Sequence, residues 1–132
     1  MPAARHFLID THCWLWWHIN PEKLSSRVFR LIENGDSDIS FSVVSAWEIV
    51  IKHNLQKLEL PFPPLKYIPK KLEMSYMDVL PVQLSHALQV QKLPDYHKDP
   101  FDRLLIAQAI SEKFVLITDD SQIGRYEVDL IW

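Results

Sequence analysis

At 132 residues and 15.6 kDa the chain has the size of one domain, and folding can bury roughly two-thirds of its unfolded surface, so a core forms without staples. Hydrophobic residues at 48% and charged ones at 23% exclude wholesale disorder, and a net charge of −3 lacks the bulk basicity of an ordinary nucleic-acid binder. The single cysteine, Cys13, excludes an internal disulfide framework and every multi-cysteine metal site.

No apolar stretch approaches the ~18 residues of a membrane span. The start, Met1-Pro2-Ala3-Ala4-Arg5-His6, lacks a signal peptide's apolar core, so the expectation is one soluble cytoplasmic domain over residues 1–132. With only Gly35 and Gly124, the chain has no Gly-rich phosphate cradle.

In chain order, His6 to Asp10 reads as a short buried strand ending in an acid, and Thr11 to His18 as a helix broken by Asn20-Pro21. Leu24-Ser25-Ser26 opens a second helix that Asn34-Gly35 stops. Asp38 to Phe41 is a strand, and Ser42 caps a helix running to about Lys57. Beyond the prolines at 61, 63 and 64, Leu65 to Met74 is helical around Pro69, and Met77 to Leu80 is a strand. Gln83 to Gln91 and Pro100 to Lys113 are helices, the second nearly apolar all round over Leu104 to Ile110 and therefore central. Phe114 to Thr118 is a strand, Asp120 to Tyr126 a turn or short helix, and Val128 to Ile131 a last strand. Alternating strands and helices predict an α/β fold: a central parallel sheet flanked by helices on both faces. Ligands of such sheets bind beyond the carboxyl ends of the strands.

Four acids stand out against that frame. Asp10 follows the first strand, where it either caps the next helix or faces the ligand crevice. Glu48 lies among Val44, Trp47, Ile51 and Leu55, all within about 60° of it on a helical wheel. Burying it alone costs several kcal/mol, so it needs a neighbouring Lys or Arg, or a cation. Asp102 shares a face with Leu105, Ile106 and Ala109, yet also suits the first turn of a helix capped by Asp99 with Pro100 at its first position. Thr118-Asp119-Asp120 follows a late strand and either caps a turn or lines the crevice.

One pocket can hold Asp10, Glu48, Asp102 and Asp120. Two carboxylates ~5 Å apart repel by about 3 kcal/mol at an effective dielectric near 20, so such a cluster requires positive charge at its centre. All-oxygen ligands favour Mg²⁺ or Mn²⁺. The chemistry suited to that site is phosphodiester hydrolysis, in which the cation activates a water and offsets charge on the phosphate.

These stretches resemble the PIN-domain ribonucleases, in particular the VapC-type toxins of bacterial and archaeal toxin–antitoxin pairs. The likeness is carried by Leu8-Ile9-Asp10-Thr11-His12 with Trp16, by Ser45-Ala46-Trp47-Glu48-Ile49 with Lys52, and by His97-Lys98-Asp99-Pro100-Phe101-Asp102-Arg103 running on to Ala109. Leu116-Ile117-Thr118-Asp119-Asp120, Tyr126 and Ile131-Trp132 complete it, so the likeness spans essentially the whole chain, and the segment DPFDRLLIAQA is its most specific part.

The resemblance implies a PIN-like three-layer fold and an Mg²⁺- or Mn²⁺-dependent endoribonuclease, homodimeric, inhibited by an antitoxin protein that covers the acidic cleft and inserts a basic side chain. It assigns the four acids to Asp10, Glu48, Asp102 and Asp120, with Asp119 in the variable middle position of a Thr-x-Asp pattern. Thr11 and Thr118 are then expected to hold a water or carboxylate behind the ligands. One departure is Gln56, where many relatives carry glycine, and it bears only on the local turn.

Lys52 and Arg103 either meet RNA phosphate or neutralise Glu48 and Asp102. The histidines offer no HxxH or HExxH metal spacing and receive no role. Trp14, Trp16, Trp17 and Trp47 are expected to pack, Cys13 to be buried, and Lys66, Lys70 and Lys71 to form a solvated helix face. The alternative within the same fold is a non-catalytic scaffold that binds RNA or protein. A phosphoacceptor receiver would need a lysine after a late strand and an aspartate ending a middle one, where Thr118-Asp119-Asp120 and Pro81 stand instead. A dehalogenase-like phosphatase would need an acid two residues after Asp10, where the chain has His12.

Overall fold

His6–Ile9 form strand β1, whose Phe7, Leu8 and Ile9 are all buried, as a central strand covered on both faces requires. The computed structural model describes residues 5–132, so the Met1–Ala4 part of the leader reading lies outside the described residues. β1 pairs in parallel with β2 (Asp38–Ser42) on one side and β4 (Val115–Ile117) on the other. β3 (Asp78–Leu80) and β5 (Leu130–Ile131) add the edges, giving the order β3-β2-β1-β4-β5.

Among the described residues six α-helices connect them: α1 (Thr11–Ile19), α2 (Ser26–Glu33), α3 (Val43–Asn54), α4 (Pro64–Ser75), α5 (Leu84–Gln89) and α6 (Pro100–Glu112). Side chains of Asp10, Ser25, Ser42 and Asp99 accept first-turn backbone N–H groups of α1, α2, α3 and α6, so polar residues at strand–helix junctions set where these helices begin.

Alternation along the strands separates two cores. Phe7, Ile9, Ile39, Phe41, Val115 and Ile117 pack with α1, α2 and α4 through residues such as Trp14, Val28 and Tyr67. Leu8 and Leu116 turn the other way, onto Leu105, Ile106 and Ala109 of α6. This is the expected three-layer α/β arrangement, with α6 central. The chain leaves β1 for β2 on one side and reaches β4 on the other. The carboxyl ends of β1 and β4 therefore flank the crevice of a doubly wound sheet. The Asp10 N–H donates to the Ile117 carbonyl at 3.0 Å, tying the two strand ends together.

Several boundaries differ from the sequence reading. α3 stops at Asn54 because Gln56 adopts φ 60°, the left-handed turn where a glycine has no steric cost. α5 ends at Gln89 and gives way to a single tight turn, Val90–Lys92, while β5 is only two residues long. The apolar stripe expected on α3 is also corrected. Its buried residues are Val44, Ser45, Glu48 and Ile49, whereas Trp47 and Leu55 are 57% and 59% exposed. The helix enters both cores edge-on through adjacent positions, so a stripe centred on its largest side chains is misplaced. Trp14 is fully buried and Cys13 likewise, while Trp47 lies on the surface against the edge of Phe101.

Candidate active site

Asp10 stands at the carboxyl end of β1 and is 1% exposed. Its Oδ1 accepts the Thr11 N–H at 2.7 Å and its Oδ2 the Thr118 hydroxyl at 2.6 Å. The capping and crevice readings of Asp10 are thus compatible, one carboxylate oxygen serving each. Burial pushes its carboxyl up from the ordinary aspartate value, with Glu48 adding to the rise, against the lowering effects of His12, Thr118 and the Thr11 amide.

Glu48 reaches the same crevice from α3. One oxygen, Oε2, pairs with the Lys52 ammonium one helical turn on; the other, Oε1, is buried without a hydrogen-bond partner. Asp102 arrives from the first turn of α6, where the Asp99 carboxylate caps the helix. Burial, then the charges of Asp10, Asp99 and Glu48, push the Asp102 carboxyl up to about 7, against the lowering effect of His97. Asp120 follows β4, and its N–H donates to the Thr118 hydroxyl at 3.1 Å. The charges of Asp10 and Glu48 act on Asp102, and Asp102 and Asp120 share His97 Nε2, so four acids from four separate segments are neighbours.

Two imidazoles stitch the cluster. His97 Nε2 lies 3.0 Å from Asp102 Oδ2 and 3.0 Å from Asp120 Oδ2. His12 lies between Asp10 Oδ2, at 3.3 Å from Nδ1, and Asp119 Oδ1, at 2.5 Å from Nε2. Burial lowers the His12 pKa, but Asp10, Asp119 and Asp102 more than reverse this and raise it. Neither histidine has the HxxH or HExxH spacing of a metal site; what marks them in the sequence is their place in the same segments as the acids, His12 two residues after Asp10 and His97 five before Asp102.

Asp119 is more exposed than Asp120 and meets His12. Thr118 bridges Asp10 and Asp120 as a residue behind the acids should. Thr11 departs from that expectation: its hydroxyl donates to the Ser45 hydroxyl at 2.8 Å, and only its backbone N–H touches Asp10. Lys52 neutralises Glu48. Arg103 makes no ion pair with Asp102. Its guanidinium donates to the carbonyls of Pro94, His97 and Val90 at 3.0–3.4 Å and pairs with Asp95, so it braces the segment leading into α6.

A divalent cation suits this donor set. The orphaned Glu48 Oε1 and the raised Asp102 carboxyl both mark anionic capacity that protein donors leave incompletely matched. Beside the acids a cavity of about 350 Å³ opens along α1 and α3, lined by Glu48, Trp16, Leu58, Lys52 and Lys57 among others.

A parallel α/β domain with acids converging at its switch point matches the PIN domain family across residues 7–128, and the chain belongs to that family. It is 27% identical over 120 residues, 90% of each chain, to ribonuclease VapC22 of Mycobacterium tuberculosis. Among solved structures, the fold superposes on DNA-bound VapBC from Salmonella typhimurium with a TM-score of 0.72 at 15% identity, covering 96% of this chain and 97% of that one. FitAcB from Neisseria gonorrhoeae gives 0.68 at 16% identity, covering 96% of each chain.

Proposed function

We propose that the protein is a divalent-cation-dependent endoribonuclease acting in the cytoplasm as the toxin of a toxin–antitoxin pair. The observation that carries this reading is the buried Glu48 Oε1, left without a protein partner inside a cluster of four carboxylates. A buried carboxylate oxygen kept only for structure ordinarily has a hydrogen-bond donor, whereas this one has none and its carboxylate acts on the neighbouring acids Asp10 and Asp102.

Asp10, Glu48, Asp102 and Asp120 would hold Mg²⁺ or Mn²⁺. When bound, that cation supplies Lewis acidity at the phosphate and lowers the pKa of a water. Thr118 orients Asp10 by donating its hydroxyl to Oδ2, and Asp120 by accepting the Asp120 N–H on the same hydroxyl oxygen. His12 holds Asp119 against Asp10. Lys57 lines the adjoining cavity with the Lys52–Glu48 pair and Glu59, and its ammonium is the group there that an RNA phosphate would meet.

Kinship to a VapC ribonuclease and fold likeness to chains from VapBC and FitAB assemblies support an antitoxin partner. Exposed apolar residues on α3 (Val43, Trp47, Val50) and α5 (Leu84, Leu88) support a homodimer. Among the described residues no helix is long and apolar enough to cross a membrane.

The test is cleavage of a panel of structured RNAs with Mg²⁺ or Mn²⁺, with and without chelator, by wild type and by Asp10→Asn. Cleavage that needs the cation and Asp10 is expected. The variant should keep its metal-free melting temperature, since Asn retains the cap acceptor and loses a disfavoured charge. RNA binding without cleavage would overturn the enzyme reading in favour of the scaffold.

A further inference from the structure

We infer that His97 is a positioning residue: a hydrogen-bond donor to Asp120, locked in one tautomer, that keeps Asp120 beside Asp102 and stays outside the atoms that ligate a cation. The inference rests on the proposed site only in taking those two acids as cation ligands.

The distance from Nε2 to each carboxylate, 3.0 Å, does not by itself assign the role. It suits an N–H···O bond, and it equally suits two neighbouring ligands of an octahedral ion with bonds of about 2.1 Å. The other ring nitrogen decides. His97 Nδ1 lies 3.1 Å from the backbone N of Asp99, which donates to it. A backbone amide cannot exchange its donor role, so Nδ1 is the acceptor and the ring proton of the neutral imidazole sits on Nε2. That proton points at Asp120 Oδ2, and Asp102 Oδ2 lies at the same 3.0 Å but off the direction of the N–H. Ligation through Nε2 would move the proton to Nδ1, where it would face the Asp99 N–H.

The surroundings fix the ring further. The His97 N–H donates to the Tyr126 hydroxyl at 2.8 Å, and the His97 carbonyl accepts from Arg103 at 3.2 Å. Tyr126 donates in turn to the Pro94 carbonyl at 2.8 Å. The Asp99 amide that sets the tautomer belongs to the residue capping α6, the helix that carries Asp102. One short stretch therefore builds Asp102, the imidazole beside it that donates to Asp120, and the brace beneath. His12 has no such lock, because both its nitrogens face carboxylates.

Three measurements test the assignment. Long-range ¹H–¹⁵N NMR of chelator-treated protein should find His97 with its proton on Nε2; the Nδ1–H tautomer would overturn the proposal. Pulsed EPR of the Mn²⁺-loaded wild type should find no ¹⁴N coupling from a directly bound imidazole, and a strong coupling lost in His97→Ala would make His97 a ligand instead. Mn²⁺ titration should show His97→Ala binding about tenfold or more weakly. His97→Gln, whose amide can still donate, should recover most of that loss, and an unchanged affinity in His97→Ala would overturn the role. Should His97→Ala fail to fold, the two wild-type spectra decide. A protein that binds Mn²⁺ with this His97 dependence but cleaves no RNA sinks the nuclease reading and leaves this one intact. One that binds no Mn²⁺ sinks the cation reading, and the metal-free tautomer then decides this one alone.

Discussion

The hydroxyl of Thr118 donates to Asp10 Oδ2 across 2.6 Å, although 108 residues separate the two in the chain. The contact exists because β1 and β4 are adjacent parallel strands whose ends reach the crevice together. Thr118→Val keeps the shape and removes the donor from a buried carboxylate. A loss of about 2 kcal/mol in urea-unfolding stability is expected, the usual worth of a hydrogen bond to a charged group. Thr118→Ser should recover most of it, and equal stability in the valine variant would deny the bond.

The Asp102 carboxyl, raised from 3.8 to about 7, sets a pH dependence for the metal-free protein. The folded state binds this proton more tightly than the unfolded chain. The stabilisation is therefore complete below pH 3.8 and is lost as pH rises toward 7. His12, also raised, loses its contribution in the same direction above 6.5. Chelator-treated wild type should thus weaken across this range, and Asp102→Asn should flatten the fall. A stability that rises from pH 4 to 7 by an amount unchanged in Asp102→Asn would refute the assignment.

Lys52 supplies the ammonium beside Glu48, where the proposed cation would also act. Lys52→Met leaves the Glu48 carboxylate buried with no partner on either oxygen, and should cost the metal-free protein about 1–3 kcal/mol. Saturating Mn²⁺ should narrow the gap between variant and wild type. For wild type, cation at a hundred times Kd contributes about 2.7 kcal/mol by mass action, and a protein lacking all four acids should not respond. A gap that persists undiminished under Mn²⁺ would separate Lys52 from the cation's place.

Arg103→Lys should lower thermal stability, because an ammonium cannot reproduce a planar fork that reaches the carbonyls of Pro94, His97 and Val90. The salt dependence of RNA binding should stay unchanged, since the guanidinium faces protein. A shallower salt slope with intact stability would return Arg103 to the phosphate backbone.

Gln56 holds φ 60° directly after α3, a conformation that costs a residue with a Cβ about 1 kcal/mol. Gln56→Gly should raise stability by about 0.5–1 kcal/mol, read as a higher urea midpoint with unchanged slope. A lower midpoint would mean that the Gln side chain contributes contacts outweighing the strain.

Much of the architecture was legible in the residues. The order of strands and helices follows from apolar runs punctuated by prolines, Asn34-Gly35 and the capping Ser42 and Asp99, because these signals are local. The four acids were legible too, each as an anion out of keeping with its surroundings. The buried side of α3 was not, since it depends on which cores the helix enters, and Trp47 drew the apolar stripe to the wrong face.

Sequence alone determined the element order, the parallel α/β class and the identity of Asp10, Glu48, Asp102 and Asp120 as the residues to watch, because backbone periodicity and charge are properties of short segments. Tertiary structure alone decided what each side chain touches. It turned Arg103 into loop carbonyls, set Lys52 on Glu48, joined Thr118 to Asp10 and aimed His12 and His97 into the acids. Hydrogen bonds and ion pairs act over about 3 Å, and which groups come that close is fixed only when strands remote in the chain pair and their ends meet.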